Sequence, residues 1–131
     1  MPSLFSRIIA RELPAFIVAE DEQHIAFLDI NPNALGHTLC VPKKEVDKLF
    51  DLSPSEYQEL MMFSRSVAAA LKQVVSCKRI GLTVIGLEVP HVHVHLIPLN
   101  VMADATFKKK VAPSKEEMQT LTQQISTVFK Q

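Results

Sequence analysis

The chain has 131 residues, enough for one domain that buries roughly two-thirds of the surface its unfolded form exposes. Hydrophobic residues make up 47 % and charged residues 21 %, and 14 basic residues balance 14 acidic ones to a formal net charge of zero. That balance speaks against a nucleic-acid polymer as ligand, and no stretch comes near the ~18 apolar residues of a membrane span.

The segment "SLFSRIIAREL" predicts a short helix that ends before Pro14, because a residue ahead of proline avoids the helical region. "AFIVAE" and "HIAFLDI" are β-rich runs joined by the polar "DEQ", which reads as a hairpin with His24 on the surface. "NPNALG" is turn chemistry and "HTLCVP" a further short strand closed by Pro42. A long helix follows. Ser53 is a good N-cap, Pro54 suits the first helical position, and Glu56 completes a capping box. Tyr57, Leu60, Met61, Ser64, Val67, Ala68 and Leu71 keep the three-four spacing of one buried face. "RIGLTVIGL" and "HVHVHLIP" are two more strands. Lys108, Lys109 and Lys110 form the only basic cluster and read as a solvated loop. A last helix, residues 114–129, starts at a box of Ser114 and Glu117 and carries the stripe Met118, Leu121, Ile125, Val128 and Phe129. The order predicts one α+β domain over residues 1–131, with a mainly antiparallel sheet of about five strands covered by helices.

Cys40 and Cys77 lie far apart, and no Cys-x-x-Cys pair or disulfide framework exists. A reducing compartment follows as the simpler expectation. The segment "MPSLFSRIIARELPAF" lacks the apolar core of a signal peptide, so a cytoplasmic location is expected.

Residues 88–99, "EVPHVHVHLIPL", hold three of the chain's five histidines at every second position. Side chains alternate across a strand, so Val92, Val94 and Leu96 face one side and His91, His93 and His95 the other, about 6.6 Å apart. A row of imidazoles has few structural uses, since each ring brings two nitrogens that need partners. Two chemistries suit it. Histidines two apart on a strand can share a zinc ion, with His37 as a further ligand. Alternatively, an imidazole can attack phosphorus and form a covalent intermediate while its neighbours donate protons and hydrogen bonds. Mutual repulsion would then favour a mixture of neutral and protonated rings.

"HVHVHLIP" resembles the histidine triad (HIT) motif, alternating histidines and hydrophobic residues. The likeness extends upstream through "FLDINP" and "GHTLCVPKK", covers roughly residues 3–99, and is closest to bacterial proteins of the Hint-like kind. The resemblance implies a HIT-like fold with one long central helix and a C-terminal helix, a homodimer, and a nucleotide hydrolase or transferase that needs no metal or cofactor. His93 would attack the α-phosphate of an AMP-type purine nucleotide and become nucleotidylated. His91 and His95 would orient it, bind phosphate oxygens and help protonate the leaving group. His37 corresponds to an extra histidine near the triad, Asp29 to the carboxylate that holds the ribose hydroxyls, and Phe27 and Ile30 to the apolar base pocket. The favoured reaction is cleavage of a nucleoside phosphoramidate or nucleotidyl phosphoester. Competing readings are a dinucleoside polyphosphate hydrolase, a metal-dependent hydrolase using the histidine cluster, and a purine-nucleotide-binding module with little turnover.

The chain departs from the family pattern at the zinc positions, ahead of the triad and, at Leu99, after it. Many bacterial relatives carry a Cys-x-x-Cys pair that binds structural zinc with histidines, one of them after the "PKK" segment. Here Ser3, Ser6 and Glu45 stand at those positions, which predicts no structural zinc. Ahead of the triad, Ile80 stands near a usual Asn or Gln, and "IGLEV" replaces "AGQ-x-V", with Gly86 and Val89 kept. Leu87 then stands where a phosphate-side glutamine is common, Glu88 where a small hydroxyl is common, and Leu99 where many have arginine. Glu88 would repel an anionic substrate or bind a cationic leaving group such as a lysine amine.

Overall fold

The computed structural model describes residues 2–131. Five strands form one antiparallel sheet: β1 (Ile17–Glu20), β2 (His24–Leu28), β3 (Thr38–Pro42), β4 (Arg79–Thr83) and β5 (Val94–Leu99), in the spatial order β1-β2-β3-β5-β4. Three α-helices accompany them: α1 (Leu4–Ile9), α2 (Pro54–Val74) and α3 (Lys115–Val128). The α+β class, the strand count, the long central helix and the C-terminal helix are as the sequence predicts.

Both capping boxes form. Ser53 accepts from the Glu56 N–H while Glu56 accepts from the Ser53 N–H, and Ser114 and Glu117 repeat the exchange. The buried face of α2 is Leu60, Phe63, Ser64, Val67, Ala70 and Leu71, whereas Tyr57 is exposed at the start of the stripe. α1 is shorter than predicted. It stops at Ala10 because Arg11 takes φ 63°, with the Arg11 N–H donating to the Ile8 carbonyl and the Glu12 N–H to that of Arg7. Those two bonds are a Schellman closure with arginine in glycine's usual place, and they end the helix before Pro14 can.

The two faces of the sheet bury different things. Beneath α2 and α3 lies the main core, which takes Val92, Val94 and Leu96 together with Ala26, Leu28 and Cys40. The opposite face holds a smaller cluster of Ile25, Phe27, Leu39 and Val41, covered by Phe5 and Ile8 of α1. The register opposes His95 to Leu39, so the histidines share this second face. His24 corrects its surface assignment: it is buried on the helical face, stacked on Phe63 with ring centroids 4.9 Å apart, and its Nδ1 lies 3.0 Å from Asp21. Gly36 closes the turn before β3 at φ +98°; a Cβ there would stand 2.9 Å from Val75 Cγ2. That tight turn places His37 beneath the triad. No helix among the described residues is long and apolar enough to cross a membrane.

Candidate active site

Only His95 of the three alternating histidines belongs to the β5 ladder, which starts at Val94. His91 and His93 sit just before it. The His91 N–H donates back to the Val89 carbonyl and the Val92 N–H donates to the Val46 carbonyl. The alternation nevertheless holds, because Val92 is buried in the main core. All four site histidines are enclosed: His37 is 1 % exposed, His91 0 %, His93 7 % and His95 7 %.

The hydrogen bonds fix the proton on each ring. His91 Nε2 lies 2.7 Å from the Pro42 carbonyl, an acceptor only, so Nε2 carries a hydrogen. Its Nδ1 lies 2.7 Å from the Ser3 hydroxyl. Both His91 nitrogens are thus engaged by protein, and neither is free for a phosphate oxygen. His93 Nδ1–H donates to the His91 carbonyl at 2.8 Å, which leaves the lone pair on Nε2. His37 Nδ1 accepts from the Asn33 N–H at 3.0 Å, so its hydrogen is on Nε2 and points to His95 Nδ1 at 2.9 Å. His95 therefore carries its own hydrogen on Nε2. Neither His93 Nε2 nor His95 Nε2 has a protein partner among the described residues, yet no buried side-chain nitrogen or oxygen there lacks one, so both atoms open to solvent. The result is a nucleophilic lone pair on one ring beside a hydrogen-bond donor on the next, with ring centroids 4.9 Å apart.

Burial sets the charges. It holds His37 down to about 3 and His95 down to about 4, with repulsion from neighbouring imidazoles and Lys110 adding to both. Burial also lowers His91, against the raising effects of the Pro42 bond and Glu45. Desolvation and imidazole repulsion act in the same direction on these three rings and favour their neutral forms. Asp29 is raised by burial, although the Asn31 N–H and the charges of Lys110 and His93 oppose the shift and Glu88 adds to it. One Asp29 oxygen accepts the Asn31 N–H at 2.8 Å and the other lies 3.6 Å from His37 Nε2.

Of the predicted site residues, His91, His93, His95, His37 and Asp29 come together. Phe27 is 3 % exposed and meets the edge of Phe5 at 5.4 Å, so it floors the site from the second core. Ile30 stands apart at 81 % exposure. Glu88 is exposed, near enough to act on Asp29 through its charge. The three groups whose ligand atoms lie within 4.8 Å of one another are Asp29, His37 and His95, a different set from the row of three that the metal reading used. A cation there would have to displace the His37–His95 hydrogen bond.

Several site residues escaped the sequence reading. Phe5 packs on His93 at 4.9 Å and on His91 at 5.9 Å. Phe107 covers the other end, 5.0 Å from His95 and 5.9 Å from His37. Asn33, fully buried, orients His37 through its N–H, ties its side-chain amide to the Asp104 carbonyl at 3.0 Å and accepts from Lys110 at 2.8 Å. The lysine run is thus more than a solvated loop: Lys110 also bonds the Asn31 carbonyl and sits over the Phe107 ring, and Lys109 pairs with Asp104. Only the four-residue spacing of Asn33 and His37 offered any signal.

A row of tautomer-fixed imidazoles beside a carboxylate lies on the helix-poor face of an antiparallel five-stranded sheet, with one lone pair and one donor open to solvent. The HIT domain family model matches residues 10–102, and the chain belongs to that family, whose members are nucleotide-binding hydrolases and transferases. It is 33 % identical over 132 residues to an uncharacterised HIT-like protein of Borreliella burgdorferi, covering 94 % of this chain and 95 % of that one. It is 36 % identical over 96 residues to adenosine 5'-monophosphoramidase HNT1 of Saccharomyces cerevisiae, covering 72 % of this chain and 61 % of the yeast protein. Among solved structures, the histidine triad nucleotide-binding protein ST2152 of Sulfolobus tokodaii superposes with a TM-score of 0.79 at 31 % identity, over 94 % of this chain and 89 % of that one.

Proposed function

We propose that this protein hydrolyses a nucleoside phosphoramidate of AMP type through a nucleotidyl-histidine intermediate, without metal. The observation that carries this reading is the single lone pair left open on His93 Nε2, with Nδ1–H anchored to the His91 carbonyl. In the first step Nε2 forms a bond to the α-phosphorus as the bond to the leaving amine breaks. His95 Nε2–H donates to a phosphate oxygen. The leaving amine takes its proton from solvent water, because both His95 nitrogens are committed, Nε2–H to the phosphate oxygen and Nδ1 to His37. Water then attacks the phosphorus, its proton returns to solvent and AMP departs, which leaves the lone pair on His93 Nε2 again. His37 holds His95 in register, Asp29 accepts from the ribose hydroxyls, and Phe27 with Phe5 walls the base. Ile30 joins that wall by covering the base from its exposed position. His91 orients His93 through its carbonyl and does not bind phosphate.

The likeness to the yeast adenosine 5'-monophosphoramidase supports the substrate class. A homodimer and a cytoplasmic location belong to the same reading. The dimer is checked by sedimentation, where a monomer at micromolar concentration would overturn it.

The test incubates metal-stripped protein with an adenosine phosphoramidate bearing a fluorescent amine, beside His93→Ala. Turnover is expected in the wild type and a loss of at least about 10⁴-fold in the variant, the scale seen when a covalent nucleophile is removed. AMP binding without turnover would instead make the protein a nucleotide-binding module. Activity that returns only with added zinc would move the chemistry to Asp29, His37 and His95.

A further inference from the structure

We propose that Ser3, held in place by Glu45, is a positioning residue for His93: its hydroxyl donates to the Nδ1 lone pair that the Pro42 bond leaves on His91 and so fixes the seat of that ring, and through the His91 carbonyl it fixes the proton on His93 Nδ1.

The hydroxyls around His91 leave little choice of arrangement. Ser6 Oγ is 3.5 Å from His91 Nδ1, but its one hydrogen goes to Glu45 Oε1 at 2.6 Å. Ser3 Oγ, at 2.7 Å, is the donor that remains. It accepts the Ser6 N–H at 3.0 Å, so its hydrogen is free for the ring. Glu45 Oε1 also accepts the Ser3 N–H at 2.7 Å, which pins the backbone on which that hydroxyl stands. The proton order then runs one way: Ser3 Oγ–H to His91 Nδ1, His91 Nε2–H to the Pro42 carbonyl, His93 Nδ1–H to the His91 carbonyl.

The loop after β3 grips the same segment from its other side. Pro42 holds the His91 ring, Glu45 holds Ser3, and the Val46 carbonyl accepts the Val92 N–H at 2.7 Å. Residues 42–46 and the start of α1 therefore form one clasp around His91.

Helix capping alone does not explain Ser3. A cap needs only an acceptor for the Ser6 N–H, which aspartate or asparagine also supplies. The contact with His91 needs a group that accepts and donates at the same oxygen, which a hydroxyl does. Without it, His91 Nδ1 is a buried acceptor with no partner. The ring tilts toward another donor, since the Pro42 carbonyl, an acceptor only, keeps the hydrogen on Nε2. The carbonyl that anchors His93 shifts with it, and His93 can place its hydrogen on either nitrogen. The form with hydrogen on Nε2 has no lone pair where the phosphorus arrives.

The experiment compares the full chain with Ser3→Gly, which keeps a tolerable helix start, and with Ser3→Thr, which keeps the hydroxyl. Long-range proton–nitrogen NMR on labelled histidines reads the tautomers of the free protein. Wild type and Ser3→Thr are expected to show His93 with hydrogen on Nδ1 and His91 with hydrogen on Nε2. Ser3→Gly is expected to show averaged His93 signals, with kcat on the adenosine phosphoramidate down about tenfold and KM moved by less than about threefold. An Nδ1–H signal for His93 that persists unchanged in Ser3→Gly overturns the proposal. So does an equal loss in Ser3→Thr. Should Ser3→Gly fail to fold, Ser3→Asp keeps the cap without a donor for the ring, and an unshifted His93 there overturns it equally. The kinetic arm rests on the phosphoramidase reading, whereas the NMR arm does not, so a protein with no turnover still decides the role of Ser3.

Discussion

The two sides of residues 91–96 divide the molecule's labour between neighbouring side chains. Val92, Val94 and Leu96 enter the core under α2 and α3, where only apolar contact is asked of them. His91, His93 and His95 face the smaller cluster under α1, where four of the six ring nitrogens have a protein partner and the Nε2 atoms of His93 and His95 stay open. Offset by one residue, one side stabilises the fold and the other holds protons in place. The difference teaches that burial alone does not separate core from site. Val94 and His91 are both 0 % exposed, but only the histidine brings donors and acceptors that the fold must satisfy.

Paired substitutions test this division. His93→Ala is expected to abolish turnover while lowering the urea midpoint less than a core truncation does, since the ring's Nδ1 bond and its contacts with Phe5 and His95 lie outside the main core. Leu96→Ala, three positions on, is expected to cost about 3 kcal/mol in urea unfolding, from lost transfer energy and the cavity left behind. The same protein should keep kcat within about threefold at temperatures where it is folded. A Leu96→Ala protein as inactive as His93→Ala would show that the two sides are one unit.

Acid should reach the histidine side first. His37 and His95 stay neutral in the fold down to about 3 and about 4, while unfolded histidine protonates near 6.5. Between those values the unfolded chain binds more protons. Stability is therefore complete above about pH 6.5 and falls as the pH is lowered from there, by at most about 1.4 kcal/mol per pH unit for each ring. Chemical denaturation between pH 7 and pH 5 checks the slope, and His37→Asn should make it shallower. A flat profile would mean that the two rings are charged in the fold.

The core side was legible in advance because it follows a period. Ser53 and Ser114 announce their helices, and the valines between the histidines announce the buried face. The family likeness added His37 and Asp29. What stayed hidden depends on chain returns with no local signature. Phe107 and Lys110 come back over His95 and Asn33 from beyond β5, and nothing in "TFKKK" points there. Ser3, Ser6 and Glu45 were visible as departures from a zinc pattern, but not as a hydrogen-bonded set, since that needs the 42-residue separation of Ser3 and Glu45 to close. His24 misled for the same reason: its stacking partner Phe63 lies on α2. Even α1 ended early through a left-handed arginine, a conformation that side chain rarely takes.

Asp29 sharpens the comparison within the histidine side. One of its oxygens is committed to the Asn31 N–H, and the other is left for a ligand beside His37. Asp29→Asn keeps the shape and replaces one acceptor by a donor. On the reading above, KM for the adenosine phosphoramidate should rise about tenfold, the order expected for hydrogen bonds to a charged group, with kcat changed much less. A substrate lacking the ribose 2'-hydroxyl should close most of that gap, since the wild type then loses the same bond. A drop in kcat at constant KM would place Asp29 on His37 and His95 instead of on the sugar.

Glu88 should give the smallest effect, and the salt dependence is what makes it readable. It is exposed, and its charge acts on Asp29 by raising it. A carboxylate there opposes a leaving group that carries phosphate and favours one that carries an amine. Because water screens an exposed charge, the preference is worth only about 0–1 kcal/mol. Glu88→Gln should therefore raise the rate on a phosphate leaving group relative to an amine by about threefold at low ionic strength. The ratio should return toward the wild-type value near 1 M salt, where the Debye length falls to about 3 Å. A ratio that changes by the same factor at both salt concentrations would mean that Glu88 acts by contact, as a hydrogen-bond partner of the leaving group. An unchanged ratio would leave the choice of leaving group to the Lys110 and Phe107 side of the site.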